Sequence, residues 1–143
     1  MAKLELSREL SLSPQTAWDH ASNLGELGDW MAMHEGWRCD IPDELTVGTT
    51  LTGVAGAKGM RNRVTWTVRR MDPPHLLEVT GKGVGGTKYG MTLKVKATPA
   101  GCTFFVTIEL GGPPLFGPIG SVAARAVKGD IERSIEKFEQ LYS

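Results

Sequence analysis

Two hydrophobic periods occur along this chain, one typical of strands and one typical of helices. Residues 4–12 place leucines at alternate positions, interrupted by Arg8, and this period of two predicts a strand with one buried face. Ser13-Pro14 then predicts the start of a helix, because serine caps free amides and proline at the first helical position loses no hydrogen bond. A second short helix is predicted over residues 24–31.

From residue 34 to residue 110 the pattern is that of strands alone. The predicted strands are residues 34–41, 49–58, 63–71, 75–81, 87–98 and 102–110. Tight turns are predicted at Lys58-Gly59-Met60-Arg61-Asn62, Asp72-Pro73-Pro74 and Pro99-Ala100-Gly101. Apolar and polar residues alternate within most of these segments, as they do in antiparallel sheets with one wet face.

A helical period returns at the C-terminus. Its apolar positions, three and four residues apart, are Ile119, Val122, Ala123, Ala126, Val127, Ile131, Ile135, Phe138, Leu141 and Tyr142. This spacing predicts one long amphipathic helix. No strand–helix–strand alternation precedes it, so a parallel sheet is disfavoured. The sequence predicts an α+β fold, a curved antiparallel sheet of six to seven strands around a long C-terminal helix, in a single domain over residues 1–143.

The composition is that of a globular domain that can fold without a disulfide or a structural metal. The 143 residues are 41% hydrophobic and 22% charged. A chain of this length buries enough surface to need neither disulfide nor metal. No apolar run reaches the length of a membrane span, and Met1-Ala2-Lys3-Leu4-Glu5 lacks the apolar core of a signal peptide. We therefore expect a cytoplasmic protein without membrane insertion.

Positive charge is concentrated in the middle of a chain whose net charge is zero. Residues 58–101 hold only two acidic residues, Asp72 and Glu78. The bases on the predicted outer sheet face are Arg63, Arg69, Lys88, Lys94 and Lys96. Such a face attracts phosphates, but Phe105 is the one outward aromatic residue available for base stacking. The pattern favours a solvated face and disfavours nucleic acid as a partner.

Motifs for cofactors and metals do not hold up in context. Residues 81–86 match Gly-x-Gly-x-x-Gly, but a strand follows where a dinucleotide site needs a helix. A hairpin or pocket-rim loop is favoured instead. His20, His34 and His75 lack metal-ligand spacing. We therefore predict no cofactor and no metal.

Several segments carry a family resemblance. They are Ser13-Pro14-x-x-Ala17-Trp18, a second helix bearing Trp30, Gly83-Val84-Gly85-Gly86, and Leu110-Gly111-Gly112-Pro113-Pro114-Leu115-Phe116-Gly117-Pro118-Ile119-Gly120. With the order of elements, they resemble the START-like, or SRPBCC, superfamily of polyketide cyclases, aromatase/cyclases and lipid-transfer domains. They are most similar to an actinobacterial branch in which a mycobacterial member is classed as the toxin of a toxin–antitoxin pair. The resemblance implies a helix-grip fold with a cavity between the sheet and the last helix.

The predicted cavity wall combines inward strand positions with the last helix. Its residues are Trp37, Trp66, Val68, Tyr89, Met91, Phe104 and Val106, with Val122, Ala126 and Val127. Arg38 and Arg70 are predicted at the mouth, where either can meet an anionic head. The alternative is a closed core, since such residues are core in most proteins.

Three functions stay open. The favoured one is binding of a lipid-like or polyketide-like apolar or amphipathic small molecule, without catalysis. The second is a cyclase or dehydratase that uses an ionisable pocket group, with Tyr89, Arg38 and His34 as candidates, although His34 is expected in an exposed loop. The third is a growth-inhibiting toxin with an antitoxin protein as its partner.

Overall fold

The computed structural model describes residues 2–57, 60–113 and 118–143. Within them, the strands are β1 (Ala2–Leu10), β2 (His34–Trp37), β3 (Thr50–Ala57), β4 (Met60–Asp72), β5 (Leu76–Lys82), β6 (Lys88–Thr98) and β7 (Gly101–Gly111). The helices are α1 (Pro14–Ala21), α2 (Leu27–Trp30) and α3 (Pro118–Tyr142), with single 3₁₀ turns at Leu24–Glu26 and Val84–Gly86. The predicted helix-grip architecture is confirmed.

One antiparallel sheet contains all the described strands, in the order β1-β7-β6-β5-β4-β3-β2. The N-terminal strand therefore pairs with the last strand, and the other neighbours in the sheet are also neighbours in sequence. The register shifts between His34 and Gly36 and between Val68 and Arg70. Such irregularities increase local twist, and they help the sheet to curl around α3.

The start of α1 follows the predicted capping chemistry. The Ser13 hydroxyl accepts a hydrogen bond from the backbone N–H of Thr16 at 3.1 Å, and Pro14 occupies the first turn. The helix buries Ala17, Trp18 and Ala21 and packs against β6 and β7 of the sheet.

An aromatic cluster fastens the C-terminal half of α3 to the sheet. Phe138 of α3 lies 4.5 Å from Phe104 of β7 and 5.0 Å from Trp30 of α2, measured between ring centroids. Phe104 and Phe138 are fully buried. Edge-on and tilted aromatic pairs of this kind add stabilisation beyond the area they bury, so this end of the grip is solidly packed.

A buried hydroxyl ties α3 to the segment after α2. Ser134 has no exposed surface. Its hydroxyl accepts a hydrogen bond from the backbone N–H of Ala32 at 2.8 Å and donates to the carbonyl of Asp130 at 2.6 Å. Ala32 lies after the end of α2, so its N–H has no carbonyl partner within a helix. The Ser134 hydroxyl of α3 supplies the acceptor that this backbone donor needs.

The end of α3 is held by a polar contact with the first helices. Tyr142 stacks on His20 with ring centroids 3.9 Å apart, and Glu26 lies 3.0 Å from Nδ1 of His20. Burial, together with the negative charges of Glu26 and Asp29, raises the pKa of Tyr142 to about 12. The phenol therefore stays protonated and donates to Glu26.

The strand predicted over 34–41 is shorter than expected. Pairing stops at Trp37, and Cys39 beyond it is exposed, with its sulfur 3.3 Å from the backbone nitrogen of Thr52. Pro42 follows soon after and has no N–H for a ladder. The predicted strand 63–71 is longer than expected and begins at Met60, so Arg61 and Asn62 belong to β4 rather than to a turn. Lys58 and Gly59 of that turn lie outside the described residues.

The apolar face predicted for the last helix is only partly buried. Val127, Ile131, Ile135 and Phe138 are buried, whereas Ile119, Val122 and Leu141 are exposed by 60%, 51% and 44%. Sequence spacing counts apolar positions equally along the helix, but only the middle and C-terminal turns contact the packed core. Residues 114–117 of the preceding segment lie outside the described residues.

We predict that Ser134→Ala lowers the free energy of unfolding by about 0.5–1.5 kcal/mol, because the Ala32 N–H loses its hydrogen-bond acceptor on α3. Ser121→Ala is the matched control, since Ser121 is exposed on the same helix and gains a few tenths of a kcal/mol of helix propensity at most. Urea denaturation of the three proteins measures both effects. Equal stability of Ser134→Ala and the wild type would show that the hydroxyl contributes nothing.

Candidate functional site

A cavity of 390 Å³ lies between the sheet and the N-terminal half of α3. The sheet supplies Ala55, Gly56, Arg61, Asn62, Trp66, Val79, Tyr89, Gly90, Met91, Ile108 and Leu110. The helices and loops supply Leu24, Leu27, Met31, Met33, Val84, Thr87, Ile119, Ala123 and Val127, and β2 supplies His34 and Trp37. The volume lies within the range of small-molecule sites.

Glycines on the strands make room for the aromatic walls. Gly81 stands in register between Trp66 and Tyr89, and a Cβ on it would lie 2.6 Å from Val64 and 2.9 Å from the Trp66 ring. A Cβ on Gly53 would lie 2.9 Å from the ring of Trp37. The rings of Trp66 and Trp37 therefore lie directly over glycine backbone, and a side chain at either glycine would displace them.

A hydrogen bond fixes one wall. The indole N–H of Trp37 donates to the carbonyl of Leu24 at 2.7 Å. This bond joins the short edge strand β2 to the 3₁₀ turn before α2. Since both partners line the cavity, the bond sets the distance between two of its sides.

The polar groups of the cavity form a network at the end nearest the 84–86 turn. Asn62 donates through Nδ2 to the Tyr89 hydroxyl at 2.8 Å and accepts through Oδ1 from the N–H of Val84 at 2.9 Å. Thr87 donates to the carbonyl of Val84 at 2.7 Å. The network holds the turn in place, and it leaves Val84 exposed by 70% at the cavity mouth.

His34 is half-buried in the cavity wall, so its expected place in an exposed loop is wrong. It lies in β2 with its ring centroid 4.4 Å from that of Trp37. Burial lowers the pKa of His34 to about 4. The imidazole is therefore neutral at pH 7 and adds polarity to the wall without adding charge.

Tyr89 is also uncharged at neutral pH. Burial raises the pKa of Tyr89, and hydrogen bonds from Asn62 and Thr87 counter part of that rise. The phenol and the imidazole together give the apolar cavity neutral hydrogen-bonding groups. Such a site can hold an apolar body and orient one polar substituent.

The structure brings four of the predicted wall residues on strands to this cavity. They are Trp37, Trp66, Tyr89 and Met91. Each faces inward from a strand whose alternation the sequence displays, and Val127 of the predicted wall joins them from α3.

The remaining predicted site residues lie elsewhere. Val68, Phe104 and Val106 are buried in the packed part of the core, away from the cavity lining. Val122 is exposed by 51%, and Ala126 is half-buried without lining the cavity. Arg38 lies outside the cavity lining, in an exposed cleft with Arg61 and Arg63, and Arg70 is exposed.

Sequence reasoning missed two sets of cavity residues. Leu24, Leu27 and Met31 line it from the short helices, although their period assigned them only to a buried face. Asn62 was missed because it was assigned to a turn. The available signal was Asn62 itself, a polar residue two positions before Val64 on the inward face of β4.

Comparison with known proteins identifies the family of this fold and cavity. The family described as polyketide cyclase/dehydrase and lipid transport matches residues 1–142. The chain belongs to this family. Membership confirms the START-like resemblance, and it supports a role in binding hydrophobic ligands.

Relatives of this polyketide cyclase/dehydrase family member occur in mycobacteria. The uncharacterized protein Rv1546 of Mycobacterium tuberculosis is 56% identical over 142 residues, which cover 99% of both chains. Toxin Rv0910 of the same species is 38% identical over 143 residues, covering 100% of this chain and 99% of the relative. The predicted similarity to a mycobacterial toxin is thus confirmed.

Solved structures agree on the fold. Protein TTHA0849 from Thermus thermophilus superposes with a TM-score of 0.72 at 16% identity, over 97% of this chain and 95% of that chain. At such low identity the likeness shows the helix-grip fold alone.

The described residues also give two findings about other sites. Among the described helices, none combines the length and the apolar character that a bilayer-spanning segment requires. In the same residues, no three histidine, cysteine or acidic side chains come together as a group that could hold a metal ion.

We predict that His34 titrates near pH 4 in the folded protein, and the sign of its effect on stability follows. The unfolded chain protonates this residue near pH 6.5, so between these values the unfolded state binds more protons and stability rises with pH. The stability that comes from the neutral imidazole of His34 is fully present above pH 6.5 and is lost as the pH falls through about 4.

Two measurements check this prediction. An NMR titration, with His34→Gln to assign the signal, gives the midpoint directly. The stability advantage of the wild type over His34→Gln should shrink between pH 7 and pH 4. A midpoint near 6.5 would mean that the imidazole is not desolvated in the cavity.

Proposed function

We propose that this protein binds a lipid-like or polyketide-like amphipathic molecule in the cavity between its sheet and α3, without transforming it. In this proposal the chain acts as a single START-like domain in the cytoplasm. The observation that carries it is the 390 Å³ cavity, which combines apolar and aromatic walls with a small polar cluster. The family description supports the same class of ligand.

Packing energetics favour an occupant. Cavities left in protein cores cost roughly 24 cal/mol per Å³. A hollow of this size, if left empty, would nominally forgo several kcal/mol of the 5–15 kcal/mol that typically stabilises a domain. Met31, Met33 and Met91 line it, and methionine side chains adapt to ligands of different shape.

Binding is favoured over catalysis by the ionisable groups of the cavity. An effective general base has a pKa near the working pH, whereas burial lowers the pKa of His34 to about 4. Burial raises the pKa of Tyr89, so this residue does not supply a phenolate base at neutral pH. Arg38, the third catalytic candidate, is outside the cavity lining.

We expect N-phenylnaphthylamine, an uncharged probe that fluoresces in apolar surroundings, to bind saturably to the wild type. Ala123→Phe should weaken that binding at least about tenfold, because Ala123 lines the cavity from α3 and the larger ring would occupy it. Ala124→Phe is the matched control, since Ala124 is the adjacent alanine of the same helix and is not part of the lining.

Fluorescence titration of the three proteins, with thermal unfolding to confirm that each is folded, decides the matter. Native mass spectrometry of the purified protein looks for a co-purified ligand. Absence of saturable binding in a folded wild type, or equal binding by Ala123→Phe, would rule out the cavity as the binding site.

A second candidate function is growth inhibition. It rests on the 38% identity to a full-length relative named a toxin. Its partner would be an antitoxin protein. If growth inhibition depends on a bound ligand, a substitution that fills the cavity should relieve it. The cavity therefore offers a way to test this candidate.

We expect induced expression in a mycobacterial host to slow growth, and Ala123→Phe to relieve the effect while Ala124→Phe does not. Growth curves with immunoblots for equal protein level measure the outcome. Normal growth at equal levels of the wild-type protein would remove the toxin candidate.

A further inference from the structure

The hydrogen bonds at the polar end of the cavity form a chain with a fixed direction. The backbone N–H of Val84 donates to Oδ1 of Asn62 at 2.9 Å, and Nδ2 of Asn62 donates to the Tyr89 hydroxyl at 2.8 Å. A backbone N–H can only donate, so the Asn62 atom that faces it must be the oxygen. The amide nitrogen of Asn62 therefore faces Tyr89, and the phenol oxygen is the acceptor of this bond.

Local packing holds this chain in place. Gly83 follows β5, the strand that separates Asn62 on β4 from Tyr89 on β6. A Cβ on Gly83 would lie 2.5 Å from Nδ2 of Asn62 and 2.9 Å from the Tyr89 ring. The carbonyl of Val84 accepts from the Thr87 hydroxyl at 2.7 Å, which fixes the other side of the same turn. The chain is therefore built into the wall of the cavity.

The phenol proton of Tyr89 is the last donor of the chain. A tyrosine hydroxyl carries one proton and accepts through its oxygen, and this oxygen already accepts from Asn62. Thr87, which also faces the phenol, donates its own proton to the carbonyl of Val84. Successive hydrogen bonds polarise one another, so each donor strengthens the next. Tyr89 thus offers a polarised O–H to the cavity that it lines.

The interior of the cavity offers no cation to an anionic ligand, as far as the described residues show. Arg61 borders the cavity, but it stands on the face of β4 opposite Asn62, is exposed, and pairs with Glu35 at 2.9 Å. His34 is neutral at pH 7 because burial lowers its pKa to about 4. An ionised head in this cavity would lose its hydration without gaining a counterion. The lining therefore favours an uncharged ligand.

We propose that the ligand is uncharged and carries a carbonyl oxygen that accepts a hydrogen bond from the Tyr89 hydroxyl. This inference rests on the proposed function and narrows its ligand class to uncharged carbonyl compounds. Trp66 lies 6.0 Å from Tyr89 between ring centroids, so the apolar body beside the carbonyl meets an aromatic wall. His34 does not impose the same selection, because a neutral imidazole both donates and accepts.

Displacement of N-phenylnaphthylamine tests the carbonyl with a matched pair of uncharged compounds. Hexanophenone differs from hexylbenzene only by a carbonyl in place of the methylene next to the ring. The carbonyl preference, defined as the ratio of the Kd of hexylbenzene to that of hexanophenone, is measured in the wild type and in Tyr89→Phe. This variant removes the hydroxyl and keeps the ring. The preference should fall by a factor of about 3–10, the contribution of one hydrogen bond.

Tyr142→Phe is the matched control. It removes the hydroxyl of the chain's other tyrosine, which bonds to Glu26 and is outside the cavity lining. The carbonyl preference of this variant should equal that of the wild type. Thermal unfolding confirms that both variants are folded.

Nuclear magnetic resonance of bound hexanophenone gives a readout that needs no variant. With an isotope label at the carbonyl carbon, its resonance should lie at higher frequency in the wild-type complex than in hexane, because accepting a hydrogen bond deshields this carbon. The resonance should return toward its position in hexane when Tyr89→Phe replaces the wild type. A wild-type complex with the resonance at the hexane position overturns the inference, whether or not Tyr89→Phe folds.

Phenylhexanoate, which has the same number of carbons and a carboxylate, tests the charge. At pH 7 its head is ionised, so it should displace the probe only at a concentration at least about tenfold above that of hexanophenone. Equal displacement by the two compounds overturns the restriction to uncharged ligands.

The outcomes separate this inference from the proposed function. If the probe and hexylbenzene bind but the carbonyl preference is the same in the wild type and Tyr89→Phe, the phenol proton stays within the protein, with Thr87 as its acceptor. That result overturns the inference and leaves the apolar cavity standing. An equal fall in Tyr142→Phe shows an effect that is not specific to the cavity and also overturns it. Failure of the folded wild type to bind the probe contradicts the proposed function itself.

Discussion

The contact between the C-terminal half of α3 and the sheet is the constraint on which the rest of the structure depends. Trp30, Phe104 and Phe138 fill that end of the grip with touching rings, and Ser134 fastens the helix to the backbone after α2. A rigid helix held firmly at one end must keep its distance from a curved sheet at the other. The hollow is thus a geometric result of good packing nearby, not a failure of packing.

The ionisable groups inside the cavity are uncharged, whereas charged side chains lie at its border. His34 and Tyr89 are uncharged at neutral pH because burial disfavours their charged forms. Arg61 and Arg63 are exposed on β4, and Arg61 pairs with Glu35. The charged groups therefore stay in solvent and the cavity stays neutral, so no guanidinium group is desolvated in it.

Local periodicity predicted the helices and strands, and the family resemblance supplied the helix-grip arrangement and the cavity. Alternation placed Trp66, Tyr89 and Met91 inward, and the capping pattern located α1, because both follow from backbone geometry over a few residues. The sequence could not distinguish Phe104 from Met91, since both face inward and Phe104 is covered by Phe138, a contact between residues distant in sequence. The turn assigned to Asn62 and the loop assigned to His34 failed for a related reason, as strand pairing across β2, β3 and β4 overrode the local signals.

The bare backbone beneath the aromatic walls has a consequence for how such a site can diversify. The Trp66 ring, which lines the hollow, holds its place because Gly81 beneath it has no side chain. Size and selectivity are thereby set by separate positions, glycines beneath and side chains around the rim. Exchange of a lining side chain would therefore change the shape of the hollow while the Trp66 ring kept its place on Gly81.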